Sequence, residues 1–145
     1  TLEVYFLPED DVEDRLLDLV GGTQESVNFL AYSLTLDYLA GTLTDLAQDG
    51  VSVRGVMDAE QAASNQGGEY ERLLDAGLDV RLDPFDGLMH HKVIVIDGQY
   101  VVFGSANFTT GGLFKNDENL IILDDSDIAR QFETEFERIY MLSRP

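Results

Sequence analysis

The chain alternates strand and helix patterns through its first half and sets strand patterns side by side in its second. That switch restricts its fold more than any other feature of the sequence. Leu2 to Leu7 reads as a strand, and Pro8 with Glu9, Asp10 and Asp11 ends it and opens a helix. Val12, Leu16, Leu19 and Val20 recur there at helical spacing. Val27 to Tyr32 is a second strand, Leu36 to Gln48 a helix stopped by Gly50, and Val51 to Met57 a third strand. Such alternation favours a parallel α/β core. A polar stretch from Glu60 to Gly68 precedes a short helix from Tyr70 to Ala76, closed by Gly77, and a short strand near Val80 to Leu82. The style then changes: Val93 to Ile96 and Tyr100 to Phe103 are joined by Asp97-Gly98-Gln99, a hairpin signal, and Leu120 to Leu123 adds one more strand. Ile128, Phe132, Phe136, Ile139 and Tyr140 fall on one face of a closing helix that starts at Ser126 or Asp127. The expected fold is α/β, a mixed β-sheet flanked by helices on both faces.

At 145 residues the length suits one domain that hides roughly 70% of its unfolded surface. Residues 1–145 are read as one catalytic unit, or as one half of a longer tandem protein. No apolar run approaches the roughly 20 residues of a membrane span, and the absence of Cys excludes disulfides and thiolate metal ligands. The sequence starts at Thr1, with neither an initiator Met nor a basic-then-apolar leader. Upstream residues are therefore expected to have been removed, and the compartment stays open, cytoplasmic or exported with the signal gone. The 28 Asp and Glu stand against 9 Lys and Arg, a formal net charge of −19. Nucleic-acid binders gain affinity from Lys and Arg that release counterions, and here the only lysines are Lys92 and Lys115. This argues against a broad basic face. An acidic coat serves solubility, and high salt would screen its repulsion of a polyanionic substrate.

Polar groups in the second half are few and regularly placed. Met89-His90-His91-Lys92-Val93-Ile94-Val95-Ile96-Asp97 is followed after six residues by Gly104-Ser105-Ala106-Asn107. Alternate side chains of a strand share a face, so His90 and Lys92 point one way and His91 the other. Ser105 and Asn107 are also two apart, and the hairpin returns them beside the first strand. Four phosphate-compatible groups then gather at one sheet edge. A neutral imidazole can attack phosphorus, a fixed cation offsets charge on the non-bridging oxygens, and hydroxyl and amide donors hold those oxygens still. That scheme calls for no metal and no cofactor. It does call for a second imidazole in the opposite protonation state, to protonate the departing oxygen and later deprotonate water. One copy of the pattern does not supply it.

His90-x-Lys92, four residues, Asp97, six residues, then Gly104-Ser105-x-Asn107 resembles the signature of the phospholipase D superfamily. The resemblance extends to Phe6-Leu7-Pro8-Glu9-Asp10, Leu30-Ala31-Tyr32-Ser33, Gly87-Leu88-Met89 and Asn116-Asp117-Glu118-Asn119, and is nearest the single-motif bacterial endonuclease branch. It implies a phospholipase D-like fold and a metal-independent phosphodiesterase in which His90 forms a phosphohistidine. It further implies that His90 of the other half serves as acid and base, and that Lys92 and Asn107 grip the phosphate with Ser105 beside them. By the same resemblance Glu118 orients the nucleophilic ring through its second nitrogen, and Asp97 helps hold the site together. The partner is then a second copy in a homodimer, or a second motif-bearing half. The substrate reading is DNA or RNA; phospholipid hydrolysis or phosphatidyl transfer is the alternative, and a non-catalytic nucleic-acid-binding or assembly module an alternative of another class.

Each residue also has a plainer reading. His90 alone could be a satisfied structural histidine, Asp97 a turn residue before Gly98, and Glu118 a solvated carboxylate. His91 is expected to pack or hydrogen-bond behind the sheet. Asp83, Asp86, His90 and His91 offer ligands for zinc or manganese, although Pro84 and Gly87 put them in a loop and the two imidazoles face apart. Phe108, Phe114 and Tyr100 could stack on bases or simply pack, and Gly111-Gly112 is too weak a pattern for a phosphate loop. Convergence of four roles in register favours the catalytic reading of His90.

Overall fold

A computed structural model of the chain describes residues 1–64 and 68–145. Strands β1 (Leu2–Leu7), β2 (Ser26–Ala31), β3 (Ser52–Met57), β4 (Asp79–Leu82), β5 (Lys92–Ile96), β6 (Tyr100–Gly104) and β7 (Glu118–Asp124) form one sheet in the order β1-β7-β6-β5-β2-β3-β4. The helices are α1 (Glu13–Gly21), α2 (Asp37–Gln48), α3 (Ala59–Ser64), α4 (Tyr70–Asp75), α5 (Thr110–Phe114) and α6 (Ser126–Leu142). The polar stretch after β3 thus begins as α3, and its residues 65–67 lie outside the described residues. The short α5 has no counterpart in the sequence reading.

The parallel core is smaller than alternation suggests. Only β2, β3 and β4 pair in parallel; β1 pairs antiparallel with β7 at the far edge, and β5 takes the place beside β2. Burial explains the choice. All five residues of β5 and five of six in β2 are buried, which suits central strands covered on both faces. In β1, Leu2, Val4 and Phe6 are exposed, as an edge strand with one open face allows.

Helices cover both faces, as expected. On one, Val27, Phe29, Ile94, Ile96 and Val102 pack with α1, α2 and α4 around Leu16, Leu39, Leu43 and Leu73. On the other, Leu30, Val56, Val93, Val95 and Val101 meet Ala129, Phe136, Ile139 and Tyr140 of α6. The cap of α6 is Asp125, one residue before the expected start, and its carboxylate accepts from the N–H groups of Asp127 and Ile128. A polar tie fixes α6 to the sheet: buried Asn28 donates to Glu133 at 2.7 Å and accepts from Arg54 at 3.1 Å, while Arg54 pairs with Glu137 at 2.6 Å.

The β5–β6 turn is closed by Asp97 and Gly98, whose φ values of 54° and 59° are both left-handed. The Asp97 carboxylate accepts from the N–H groups of Gln24, Glu25 and Ser26 at 3.0, 2.7 and 3.0 Å, joining this turn to the start of β2. Burial pushes that carboxyl up, but the three donors outweigh it and hold it below the usual carboxylate range. A depressed folded value means that the stabilisation is present above the unfolded value, about 3.9, and is lost as pH falls through the folded one. Asp97→Asn should cost about 1–3 kcal/mol at pH 7, with a gap to the parent chain that narrows below about pH 3.9; urea melts at both pH values check this.

Candidate active site

Antiparallel and parallel strands bring their ends to one edge of the sheet. The carboxyl ends of β1, β2, β3 and β6 meet the amino ends of β5 and β7 there. His90 sits just before β5, Lys92 opens it, Ser105 and Asn107 follow β6, and Glu118 opens β7. Asp97 does not join them. It lies seven positions beyond His90, across the five residues of β5, roughly 23 Å at about 3.3 Å per residue, so the holding role expected of it is exercised as a clamp at the opposite edge.

The centre of the arrangement is Lys92, 8% exposed. Its Nζ lies 3.0 Å from Nδ1 and 3.3 Å from Nε2 of His90, and donates to the His90 carbonyl at 2.8 Å. A neutral imidazole has one lone-pair nitrogen, so the ammonium can bond only one of the two at a time. Burial pulls this lysine below its ordinary value, and the negative field of Glu118 pulls only part of the way back. No carboxylate forms an ion pair with Lys92 among the described residues. The His90 ring is exposed and tilts against Tyr32, with centroids 4.5 Å apart at 56°, while Nζ of Lys92 stands 5.2 Å from the same tyrosine ring.

Glycine shapes the other wall. Gly104 has a φ of 152°, and a Cβ on it would stand 2.3 Å from the Asn119 carbonyl oxygen. Its close approach to β7 sets Ser105, whose N–H donates to the Asn119 carbonyl and whose Oγ accepts from the Asn119 N–H, both at 3.0 Å. Asn107 is packed from below by Gly112, where a Cβ would meet the Asn107 carbonyl oxygen at 2.1 Å. The Asn107 Oδ1 is buried with no hydrogen-bond partner among the described residues. Gly112 of the Gly111-Gly112 pair is therefore a packing position inside α5.

Other expectations are redistributed. Among the described residues no hydrogen bond joins Glu118 to His90; its carboxylate acts instead on Lys92. Asp83, Asp86, His90 and His91 do not assemble. The carboxylate of Asp83 accepts from the N–H groups of Ala59 and Phe85, and His91 turns to Glu135 on α6 at 3.6 Å. No group of three or more potential metal ligands occurs among the described residues. Phe108 is 1% exposed and belongs to the core, Tyr100 packs near the Asp97 end, and Phe114 alone of the three aromatics is exposed. Sequence reasoning gave no role to Tyr32, Gln61 and Asp58; the signal available was their position just beyond the carboxyl ends of β2 and β3. Two grooves flank the edge. One of about 380 Å³ runs past Phe85, Leu88, Met89 and His90, and one of about 320 Å³ past Phe6, Leu7 and Glu118.

A sheet edge that presents an imidazole over a buried ammonium, with hydroxyl and amide groups alongside, gathers groups chemically compatible with a phosphoryl group. The family model described as "Cardiolipin synthase, PLD-like domain" matches residues 16–140, and the chain belongs to that phospholipase D-like family. Mitochondrial cardiolipin hydrolase of Xenopus laevis is 36% identical over 131 residues, covering 90% of this chain and 62% of that protein. Phospholipase D of Rickettsia bellii is 29% identical over 127 residues, 88% of this chain and 63% of that one. The chain thus spans about three fifths of the length of these relatives. In structure it resembles Nuc, a phospholipase D family member of Salmonella typhimurium, with a TM-score of 0.88, 25% identity and coverage of 99% of this chain and 96% of that one. NucT from Helicobacter pylori has the same fold, with a TM-score of 0.92, 24% identity and coverage of 99% and 98%. No helix among the described residues is long and apolar enough to cross a membrane.

Lys92 should titrate below the roughly 10.4 of a free lysine, and Glu118→Gln should lower it further by removing the field that supports the charge. Nitrogen NMR of ε-labelled lysine checks both.

Proposed function

We propose that the chain is a phosphodiesterase working through a covalent phosphohistidine on His90, in a site completed by a second copy. The observation that carries this is the Lys92 ammonium, buried with no carboxylate in an ion pair with it among the described residues and set against His90, in a chain of net charge −19. Carboxylates are abundant, so an unpaired buried cation is a place kept for another anion. The open Asn107 amide agrees with this. Either end of an amide can occupy its buried position, and the NH2 end would donate to a phosphate oxygen.

In the proposed reaction a ring nitrogen of His90 attacks phosphorus while Lys92, Asn107 and Ser105 hold the non-bridging oxygens. The bond to the leaving oxygen breaks, and that oxygen takes a proton from His90 of the second copy. The same imidazole then removes a proton from water, which attacks phosphorus and breaks the P–N bond. Glu118 sustains the charge on Lys92. No step needs a metal.

The single copy of the motif, in a layout that resembles the single-motif bacterial endonuclease branch, supports nucleic acid as the substrate. Phospholipid is the second reading. It is favoured by Leu88 and Phe85, 52% and 37% exposed beside His90, and by relatives named cardiolipin hydrolase and phospholipase D.

His90→Ala should lower the rate at least about 10³-fold and abolish an acid-labile phosphoryl adduct seen in the parent protein. The parent should sediment as a dimer and keep its rate in chelator. Cleavage of single-stranded DNA, duplex DNA and RNA over a salt range, against phospholipid vesicles, assigns the substrate. An undiminished rate in His90→Ala rejects the nucleophile, and loss of rate in chelator rejects the metal-free route.

A further inference from the structure

Asp58 follows the last residue of β3 and is 2% exposed, yet no cation pairs with it among the described residues. Its two oxygens serve backbone donors far apart in sequence. Oδ1 accepts from the Met89 N–H and Oδ2 from the Gln61 N–H, each at 2.9 Å. The Asp58 backbone is itself fixed, with its N–H donating to the Ala31 carbonyl at 3.3 Å and its carbonyl accepting from Ala62 at 2.9 Å.

Met89 is the residue before His90, and β5 begins only at Lys92. On the side leading into His90 the backbone is therefore set by a carboxylate, and the β2–β5 pairing takes over only at His91. The chain leading to it, from Pro84 to Leu88, is exposed. A second connection runs from Gln61, whose Nε2 donates to the Tyr32 hydroxyl at 2.9 Å. The Tyr32 ring is the wall on which His90 rests, and the Tyr32 N–H donates to the His91 carbonyl at 2.9 Å.

We infer that Asp58 is a positioning residue for His90, fixing through Met89 the backbone that carries the ring and through Gln61 and Tyr32 the surface that limits its tilt. A buried carboxylate is tolerated only while donors satisfy it, so the two N–H groups cannot drift from it cheaply. An attacking ring displaced by about 1 Å can lose roughly 100-fold in rate. The inference rests on His90 being the nucleophile, and its test separates the two.

His91 is the other of the chain's 2 histidines, so in a His91→Gln background every imidazole NMR signal belongs to His90. Asp58→Asn keeps the size of the side chain but turns an NH2 toward one of the two N–H donors. The expected result is a folded protein with shifted and broadened His90 signals and a kcat lowered roughly 10- to 100-fold, with KM little changed. Tyr32→Phe, which keeps the ring and drops the Gln61 bond, should move signals and kcat the same way by less. A folded Asp58→Asn with parental His90 signals overturns the inference, and so does a parental kcat once His90→Ala has proved inactive. Should Asp58→Asn fail to fold, Gln61→Ala and Tyr32→Phe decide, and parental signals in both overturn it. An active His90→Ala defeats the nucleophile reading alone, since the ring signals still report on positioning.

Discussion

A charged amine at the mouth of a sheet, almost hidden from water, forms no ion pair with a carboxylate among the described residues of a chain that has carboxylates to spare. Burial disfavours the charge of Lys92 and lowers its proton affinity. Its local contacts are neutral: two ring nitrogens and a carbonyl of His90, and the face of Tyr32. Glu118 acts on it without an ion pair. An anion that enters beside His90 would complete the lysine's electrostatics, and binding and catalysis then draw on the same unpaired charge. The strand ends and the anchored loop set His90 against this group, and the glycine contacts set Ser105 and Asn107 on the same edge.

Strand order decides what surrounds it. Had β1 paired with β2, as a simple βαβ succession would have it, β7 would have lacked that neighbour at its Glu118 end. With β1 against β7, Leu7 stands opposite Glu118, and Phe6 opposite Asn119. With β5 between β6 and β2, His90 lies between the ends that carry Tyr32 on one side and Ser105 on the other. The opposite edge of the sheet is purely structural: Asp97 ties the β5–β6 turn to the start of β2, and its contribution is to keep β5 in register.

The acidic surface constrains how a substrate approaches. Exposed carboxylates such as Glu9 and Asp117 border the groove on the β1 side, while the other groove has Phe85 and Leu88 at its lip and one cation, Arg138, in its lining. At low ionic strength the long-range field therefore repels a polyanion, and in the proposed reaction recognition falls to short-range contacts with the phosphate. Salt would weaken the repulsion while leaving a buried ammonium far less screened.

Much of this was legible in the residues themselves. Strand periodicity located most of β1 to β7, because strands with apolar runs or alternation announce themselves. The two-residue spacings His90 to Lys92 and Ser105 to Asn107 gave the shared edge, because side-chain direction on a strand is a local property. The exchange of β1 and β5 was hidden, since strand order depends on which faces get covered, a sum over the whole molecule. Asp97 and Glu118 were placed by motif position, and only the folded chain shows that one is 5 strand residues of β5 away from the site and that the other acts on Lys92. Asp58 and Gln61 showed only their place after β3, and Tyr32 its place in Leu30-Ala31-Tyr32-Ser33, but not their roles, because a hydrogen bond from residue 89 to residue 58 exists only once β3 and the loop before β5 lie side by side. The sequence by itself determined the chemistry available at this edge, for that follows from residue types and strand parity. Tertiary structure alone decided how those groups are held and which of them remain unpaired, because burial and partnership are properties of neighbours that the chain brings together only by folding.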